Sequence, residues 1–100
     1  MGHQGFHEEW KDLSEKTREN HRAIISLIEE FEAIDWYEQR IDACTDEELK
    51  KILVHNRDEE KEHAAMILEW LRRRDKVLDR EIREYLFTDQ SIADIEEEED

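Results

Sequence analysis

Proline is absent from this chain, and that absence constrains the fold more than any other feature of the sequence. The 100 residues include no proline and only two glycines, the two residue types that most often interrupt helices and strands. Charged residues make up 45% of the chain and hydrophobic residues 37%, a mixture typical of long exposed helices. We therefore expect an all-α fold in a single domain over residues 1–100.

Apolar residues at helical spacing predict a first helix from about His7 to Arg40. They are Trp10, Leu13, Ile24, Ile28 and Phe31. A turn is expected at Asp42–Thr45 and a second helix from about Asp46 to Arg74, with Thr45 as its N-cap and Glu48 completing a capping box. Because the turn is short, the two helices should form an antiparallel hairpin.

The C-terminal part of the sequence predicts shorter helices. A third helix is expected at about Lys76–Leu86, and the polar stretch Thr88–Ser91 should end it. Ile92 and Ile95 are spaced for one more helical turn. The acidic run Glu96–Asp100 is expected to be a frayed tail.

The strong negative charge limits the classes of partner. Thirty acidic residues against fifteen basic ones give a formal net charge of −15, which repels nucleic acid and anionic membranes and attracts cations. Cys44 is the only cysteine, which excludes an intrachain disulfide and fits a reducing compartment. No segment has the length of a membrane span, and the first residues lack the apolar core of a signal peptide. We therefore expect a soluble cytoplasmic protein.

The second helix carries polar residues in the middle of its apolar face. Steps of four and three residues connect Leu49, Leu53, Asn56, Glu60, His63, Ile67, Trp70 and Arg74. Within this face Glu60 and His63 form Glu-x-x-His, whose two side chains leave the helix one turn apart. Buried ionisable groups are unfavourable unless they are paired or bound to metal, so both residues are candidate metal ligands.

The first helix has a matching position. An edge with the same spacing consists of Ala23, Leu27, Glu30, Ile34, Tyr37 and Ile41. Glu30 lies twelve residues before Asp42 and His63 lies eighteen after Thr45, so a hairpin brings the two to similar heights, within about two turns. The alternative to a metal site is a buried network of salt bridges with Arg or Lys that fixes the register of a helical bundle.

These three residues are half of a recognised ligand set. A ferritin-like di-iron site takes one Glu from each of two helices and a Glu-x-x-His from each of two others. This chain has two long predicted helices and a single Glu-x-x-His. A hairpin with a helical core of about residues 7–87 also buries little apolar surface. Ligand count and size together predict an antiparallel two-helix hairpin, with a short C-terminal helix, that completes a ferritin-like four-helix bundle only on dimerisation.

The residues around the candidate ligands resemble the encapsulated ferritins. The similarity is carried by Ile34–Tyr37, by His55–Met66, and by the extensions Leu68–Arg73 and Tyr85–Thr88. It runs from about residue 20 to residue 95, and the long block His55–Met66 is its most specific part.

The resemblance implies a ferroxidase that oxidises Fe(II) at a di-iron site shared between two subunits, with Glu30, Glu60 and His63 as ligands. It also implies an open ring of dimers, a decamer, that acts in the lumen of an encapsulin shell and passes iron on for storage. Glu29 and Glu32 match the family's acidic pair, which gathers metal at a second interface and is a candidate calcium site.

Trp36 and Tyr37 are candidates for the layer of residues around the ligands. Tyr37 could donate a hydrogen bond to a ligand, act as a redox-active side chain, or serve as an ordinary interface aromatic. Two other functions use the same ligands: a non-catalytic helical scaffold with a structural interface metal, and a manganese- or peroxide-dependent di-metal enzyme. Members of the family usually carry a C-terminal shell-targeting peptide, and this sequence ends on the acidic run Glu96–Asp100, so shell targeting is expected from the resemblance alone.

Overall fold

Every regular element of the computed structural model is a helix, over the residues that the structure describes, 5–99 for the backbone and 5–96 for the side chains. A single 3₁₀ turn, Trp10–Asp12, precedes the long helices α1 (Glu15–Ala43) and α2 (Glu47–Arg74). Two shorter helices follow, α3 (Lys76–Tyr85) and α4 (Ile92–Glu99). The all-α prediction is thus confirmed. None of the described helices is long and apolar enough to cross a membrane.

Helix α1 begins later than its apolar spacing predicts. The expectation of a helix from about His7 is wrong, because Ser14 is in an extended conformation and its side chain accepts a hydrogen bond from the Thr17 backbone N–H. Leu13 is extended as well. Capping by a serine side chain satisfies one of the free N–H groups of the first turn, which fixes the start of α1 at Glu15.

The segment before α1 folds back onto the first turns of that helix. The Phe6 ring lies 4.0 Å from the His21 ring and 5.6 Å from the Trp10 ring, and the Arg18 guanidinium lies 4.2 Å over Trp10. Gly5 has φ of +89°, and a Cβ there would come within 3.0 Å of His21 Cε1. Both observations favour glycine at the point where the chain approaches α1.

Helix α2 is capped one residue later than predicted. The Leu49 backbone N–H donates a 2.8 Å hydrogen bond to Asp46 Oδ1, so Asp46 is the N-cap and the predicted capping box of Thr45 and Glu48 is wrong. An aspartate is among the strongest N-caps, ahead of threonine, and its negative charge also interacts favourably with the helix dipole.

The C-terminal helices end and begin at identifiable residues. Asp75 caps α3 by accepting from the Leu78 N–H at 2.9 Å. After the C-cap Leu86, Phe87 has φ of 60°, the left-handed conformation that often ends a helix. Helix α4 contacts α3 and continues to Glu99. Helix α4 is therefore longer than the single turn predicted. The fraying expected of the acidic run stays a prediction, and Asp100 lies outside the described residues.

The chain divides into two compact units, residues 1–67 and residues 68–100, and the division falls within α2. In the first unit, Glu38 of α1 contacts Arg57 of α2, while Glu30 of α1 contacts His63 of α2. The later residue of α2 thus meets the earlier residue of α1, which makes the two helices antiparallel. That residues 1–100 form one domain stays a prediction.

Very little of the described chain is buried. Ala64 is buried in the first unit, and Leu71 and Ile95 are buried in the second. Twelve large hydrophobic residues are exposed instead: Trp10, Ile24, Ile28, Phe31, Trp36, Leu49, Ile52, Met66, Val77, Leu86, Phe87 and Ile92. A core this small is unusual for a stable monomer.

The Glu69 carboxylate accepts three hydrogen bonds from arginines of the second unit. Arg72 donates two of them, at 2.7 and 2.8 Å, and Arg73 donates the third at 2.7 Å. These bonds lower the pKa of Glu69 from 4.5 to about 2. The folded state therefore favours the ionised carboxylate, and the resulting stabilisation is complete above pH about 5 and is lost as the pH falls toward 2.

Replacing Glu69 by Gln should lower the melting temperature at pH 7, and the difference from the native chain should shrink as the pH falls from 5 to 2. Thermal unfolding followed by circular dichroism at several pH values measures this. Glu84→Gln is the matched control, since Glu84 forms no ion pair with any described residue, and it should change the melting temperature little at any pH. If the difference in melting temperature between Glu69→Gln and the native chain were independent of pH, the lowered pKa of Glu69 would not be the source of the stabilisation.

Candidate metal centre

The two long helices bring three candidate ligands together in the first unit. Glu30 extends from α1, and Glu60 and His63 extend from successive turns of α2. His63 Nδ1 lies 3.3 Å from Glu30 Oε2 and 3.8 Å from Glu60 Oε2. One donor atom from each residue lies within 4.8 Å of the other two. This is the only group of three or more potential ligands at that spacing among the described residues.

Local helix geometry explains this grouping. Residues three apart on a helix share a face, which directs Glu60 and His63 to the same side of α2. The edge of α1 that contains Glu30 is half-buried throughout its length, at Ala23, Leu27, Glu30, Ile34, Tyr37 and Ile41. The antiparallel pairing then sets Glu30 opposite His63, as the hairpin spacing predicts.

The Glu60 carboxylate is close enough to disfavour the negative charge of Glu30. Burial raises the pKa of Glu30, and the neighbouring Glu60 raises it further, while His63 partly offsets both effects. The Glu30 side chain is 20% exposed and the Glu60 side chain 23% exposed, whereas His63 is 47% exposed. The site is thus covered on the carboxylate side and open at the imidazole.

One oxygen of Glu30 has no hydrogen-bond partner. Glu30 Oε2 is shielded from solvent and has no hydrogen-bond partner among the described residues, although His63 Nδ1 lies 3.3 Å away. A shielded acceptor without a donor is unfavourable. A metal cation would use that lone pair.

The donor set fits a divalent transition metal. Two carboxylates and one imidazole are the donor types that suit iron and manganese. Three protein ligands leave further coordination positions for a second copy of the chain or for small molecules. The arrangement can therefore hold a cation with the residues present, and their role as ligands stays a prediction.

The other predicted site residues lie outside this group of three. Glu29 and Glu32 are exposed on α1, and Trp36 is 52% exposed. Tyr37 is half-buried, and the Arg40 guanidinium lies 5.5 Å from its ring. The proposed roles of these four residues in metal gathering and around the ligands stay predictions.

The sequence did not single out a second cross-helix contact close to the site. Arg57 Nη1 donates a 2.8 Å hydrogen bond to Glu38 Oε1, and Arg57 is one turn before Glu60. Periodicity could not find this pair, because Glu38 is exposed and follows no apolar pattern. The usable signal is the hairpin register, which places residue 57 near residue 38 once Glu30 is set against His63.

Comparison with known proteins identifies the family. The sequence pattern of the EncFtn-like family matches residues 5–89 of this chain. The chain belongs to the EncFtn-like family. The match includes all three candidate ligands and both residues of the Glu38–Arg57 pair, and it confirms the resemblance to the encapsulated ferritins.

Relatives are similar over most of the chain. The Encapsulated ferritin-like protein of Rhodospirillum rubrum is 60% identical over 90 residues, which are 90% of this chain and 64% of that protein. The Ferritin-like protein of Thermotoga maritima is 55% identical over 93 residues, 93% of this chain and 82% of that protein. The Encapsulin nanocompartment cargo protein EncC of Myxococcus xanthus is 43% identical over 51 residues, 51% of this chain and 39% of that protein.

A solved structure has the same fold. The crystal structure of protein ne0167 from Nitrosomonas europaea superposes with a TM-score of 0.87 at 62% sequence identity. The superposition covers 89% of this chain and 98% of that one. At this identity the likeness supports both the helix assignments and membership of a common family.

Replacing Glu30 by Gln should stabilise the metal-free protein at neutral pH. The raised pKa of Glu30 means that the folded state resists its ionisation. The resulting cost in folding free energy is absent below pH 4.5, the ordinary pKa of a glutamate. It grows as the pH rises through the higher pKa that Glu30 has in the folded state. Melting temperatures in the presence of a chelator at pH 4 and pH 8 test this, and the gain should appear at pH 8.

Glu29→Gln is the control for that measurement, because the neighbouring Glu29 is exposed. It should change the melting temperature little at either pH. If Glu30→Gln lowered the melting temperature at pH 8 without metal, the neighbouring Glu30 and Glu60 carboxylates would not destabilise the metal-free protein.

Proposed function

We propose that this protein is a ferroxidase that oxidises Fe(II) to Fe(III) at a di-iron site shared between two copies of the chain. The observation that carries the proposal is the group of Glu30, Glu60 and His63, with its unpartnered Glu30 oxygen. Iron is both the substrate and the cargo of this reaction.

The ligand count supports a shared site. Ferritin-like di-iron sites use four carboxylates and two imidazoles from four helices, and one chain supplies two carboxylates and one imidazole. A second copy related by a twofold axis doubles this set and completes the four-helix bundle. The half-exposed His63 lies on the open side of the group, where a second copy can approach.

The exposed apolar surface supports the same pairing. Ile24, Ile28 and Phe31 of α1 are 45%, 49% and 57% exposed, and Ile52 and Met66 of α2 are 51% and 64% exposed. Burial of such surface stabilises association by about 25 cal/mol per Å². We propose that these residues contact other copies of the chain in a ring of dimers, a decamer.

The reaction balances with dioxygen as the oxidant. Each of two Fe(II) ions gives up one electron, and dioxygen accepts both electrons with two protons from water and leaves as hydrogen peroxide. The two carboxylates of each chain offset the charge of the ions and hold them close enough to react together. Each His63 provides a neutral nitrogen ligand for one ion.

Residues outside the ligand group have proposed roles in delivery and positioning. The exposed Glu29 and Glu32 attract cations before they reach the site, and they are a candidate calcium site. We propose that Tyr37 and Trp36 lie beside the ligands once two copies have paired, with Tyr37 donating a hydrogen bond to a carboxylate.

The names of two relatives support a location inside a shell. One is an Encapsulated ferritin-like protein and another is an Encapsulin nanocompartment cargo protein. We propose that this chain also associates with an encapsulin shell protein and releases Fe(III) into the lumen for storage. The chain spans 64% of the Rhodospirillum rubrum relative, so this partnership and the activity are proposals for the whole protein.

Glu30→Ala, Glu60→Ala and His63→Ala should each strongly reduce Fe(II) oxidation, because each substitution removes two ligands from one symmetric centre. The absorbance of Fe(III) formed under air, with iron binding measured in parallel, checks this. Glu59→Ala is the matched control, since Glu59 is an exposed acid beside Glu60 and should retain the native rate.

Mixing subunits tests whether the site is shared. Rings co-assembled from native and Glu60→Ala chains should show activity that follows the square of the native fraction, because only native pairs hold both irons. Activity in direct proportion to the native fraction would mean that each chain owns an independent site, and the shared centre would be refuted.

A further inference from the structure

Among the described residues of the first unit, one ion pair connects α1 to α2 without using a candidate ligand. It joins Arg57 to Glu38. We infer that this pair is a positioning device that sets the register of α1 against α2 and so places Glu30 opposite Glu60 and His63. The inference rests on the proposed metal site and deepens it, because it assigns a role to two residues that do not bind the metal.

The geometry of Arg57 is well defined. Its Nη1 lies 2.8 Å from Glu38 Oε1 across the hairpin, and its Nε and Nη2 each lie 3.1 Å from Asp58 Oδ1. The Arg57 side chain is 23% exposed. A planar guanidinium held at two edges has a restricted orientation, so the Glu38 contact has a defined position along both helices.

The pair is close enough to the site to control it. Arg57 precedes Glu60 by three residues, about 4.5 Å along α2, and Glu38 follows Glu30 by eight residues, about 12 Å along α1. Both helices are continuous between these positions. A shift of α1 along α2 therefore moves Glu30 and Glu38 by the same distance.

Metal ligation needs a more accurate register than apolar packing provides. Sliding one helix by a single residue moves its side chains by about 1.5 Å, whereas metal–ligand distances tolerate only about 0.2 Å. Apolar contacts are non-directional. The Glu30 and Glu60 carboxylates also repel each other before metal binds, and the directional Arg57–Glu38 contact opposes their displacement.

A purely stabilising role for the pair predicts different behaviour. Ion pairs with partners as exposed as Glu38, whose side chain is 51% exposed, contribute little to global stability. Loss of the pair should therefore change the metal site more than the melting temperature. Arg72 provides the comparison, because its ion pairs with Glu69 and Asp79 lie in the second unit. Their loss should lower the melting temperature and leave the metal site unchanged.

The test uses Co(II) as the probe, since its visible absorption reports the number and type of ligands without any turnover. Arg57→Met and Glu38→Gln in the full chain should each weaken Co(II) binding by up to about 5-fold, the most that an ion pair of this exposure can supply, and should alter the absorption bands. The double variant should lose no more than either single variant. Arg57→Lys keeps the charge and should restore part of the affinity.

Two matched controls separate positioning from stability. Arg22→Met removes an arginine whose ion pair with Glu19 lies within α1, and it should leave Co(II) binding unchanged. Arg72→Met should lower the melting temperature at least as much as Arg57→Met but should leave the Co(II) spectrum native.

The outcomes distinguish this inference from the proposed function. Native Co(II) affinity and spectrum in Arg57→Met, with binding lost in Glu60→Ala, would overturn the positioning role and leave the metal site intact. Additive losses from Arg57→Met and Glu38→Gln would also overturn it. If Glu60→Ala bound Co(II) as the native chain does, the metal site itself would be wrong.

Discussion

The structure depends on two carboxylates that the two long helices hold close together and largely shield from solvent. Glu30 and Glu60 are each about four-fifths shielded, the pKa of Glu30 is raised by burial and by Glu60, and one Glu30 oxygen has no donor among the described residues. In a metal-free monomer this arrangement is unfavourable. In the proposed dimer, cations and a second copy would relieve it, which would couple folding, association and metal binding.

The small core also favours association between copies of the chain. Three buried residues among those described cannot stabilise helices of 29 and 28 residues, and the apolar side chains that would normally form a core lie exposed on α1 and α2 instead. The proposed association would bury that surface and bring a second ligand group to the first. The small core and the half set of ligands therefore support the same proposal, an oligomer in which two chains share one site.

Periodicity predicted the parts of the molecule that depend on burial. The half-buried edge of α1 around Glu30 and the Glu-x-x-His of α2 could be read from steps of three and four residues, because helix geometry directs such residues to one face. The helix ends could not be read in this way. Ser14 and Asp46 cap their helices through local competition between side chains and backbone, and the fold-back of Phe6 and Trp10 onto α1 depends on tertiary contacts. The Arg57–Glu38 pair has no periodic signature, and only the register of the finished hairpin reveals it.

The central claim is that two chains share one di-iron site, and anomalous scattering at the iron absorption edge tests it most directly. Crystals of the full chain grown with Fe(II) should show two neighbouring iron peaks on or beside a twofold axis. Glu30, Glu60 and His63 of both chains should surround those peaks. Iron held by the three residues of one chain alone, or iron located away from them, would contradict the shared centre.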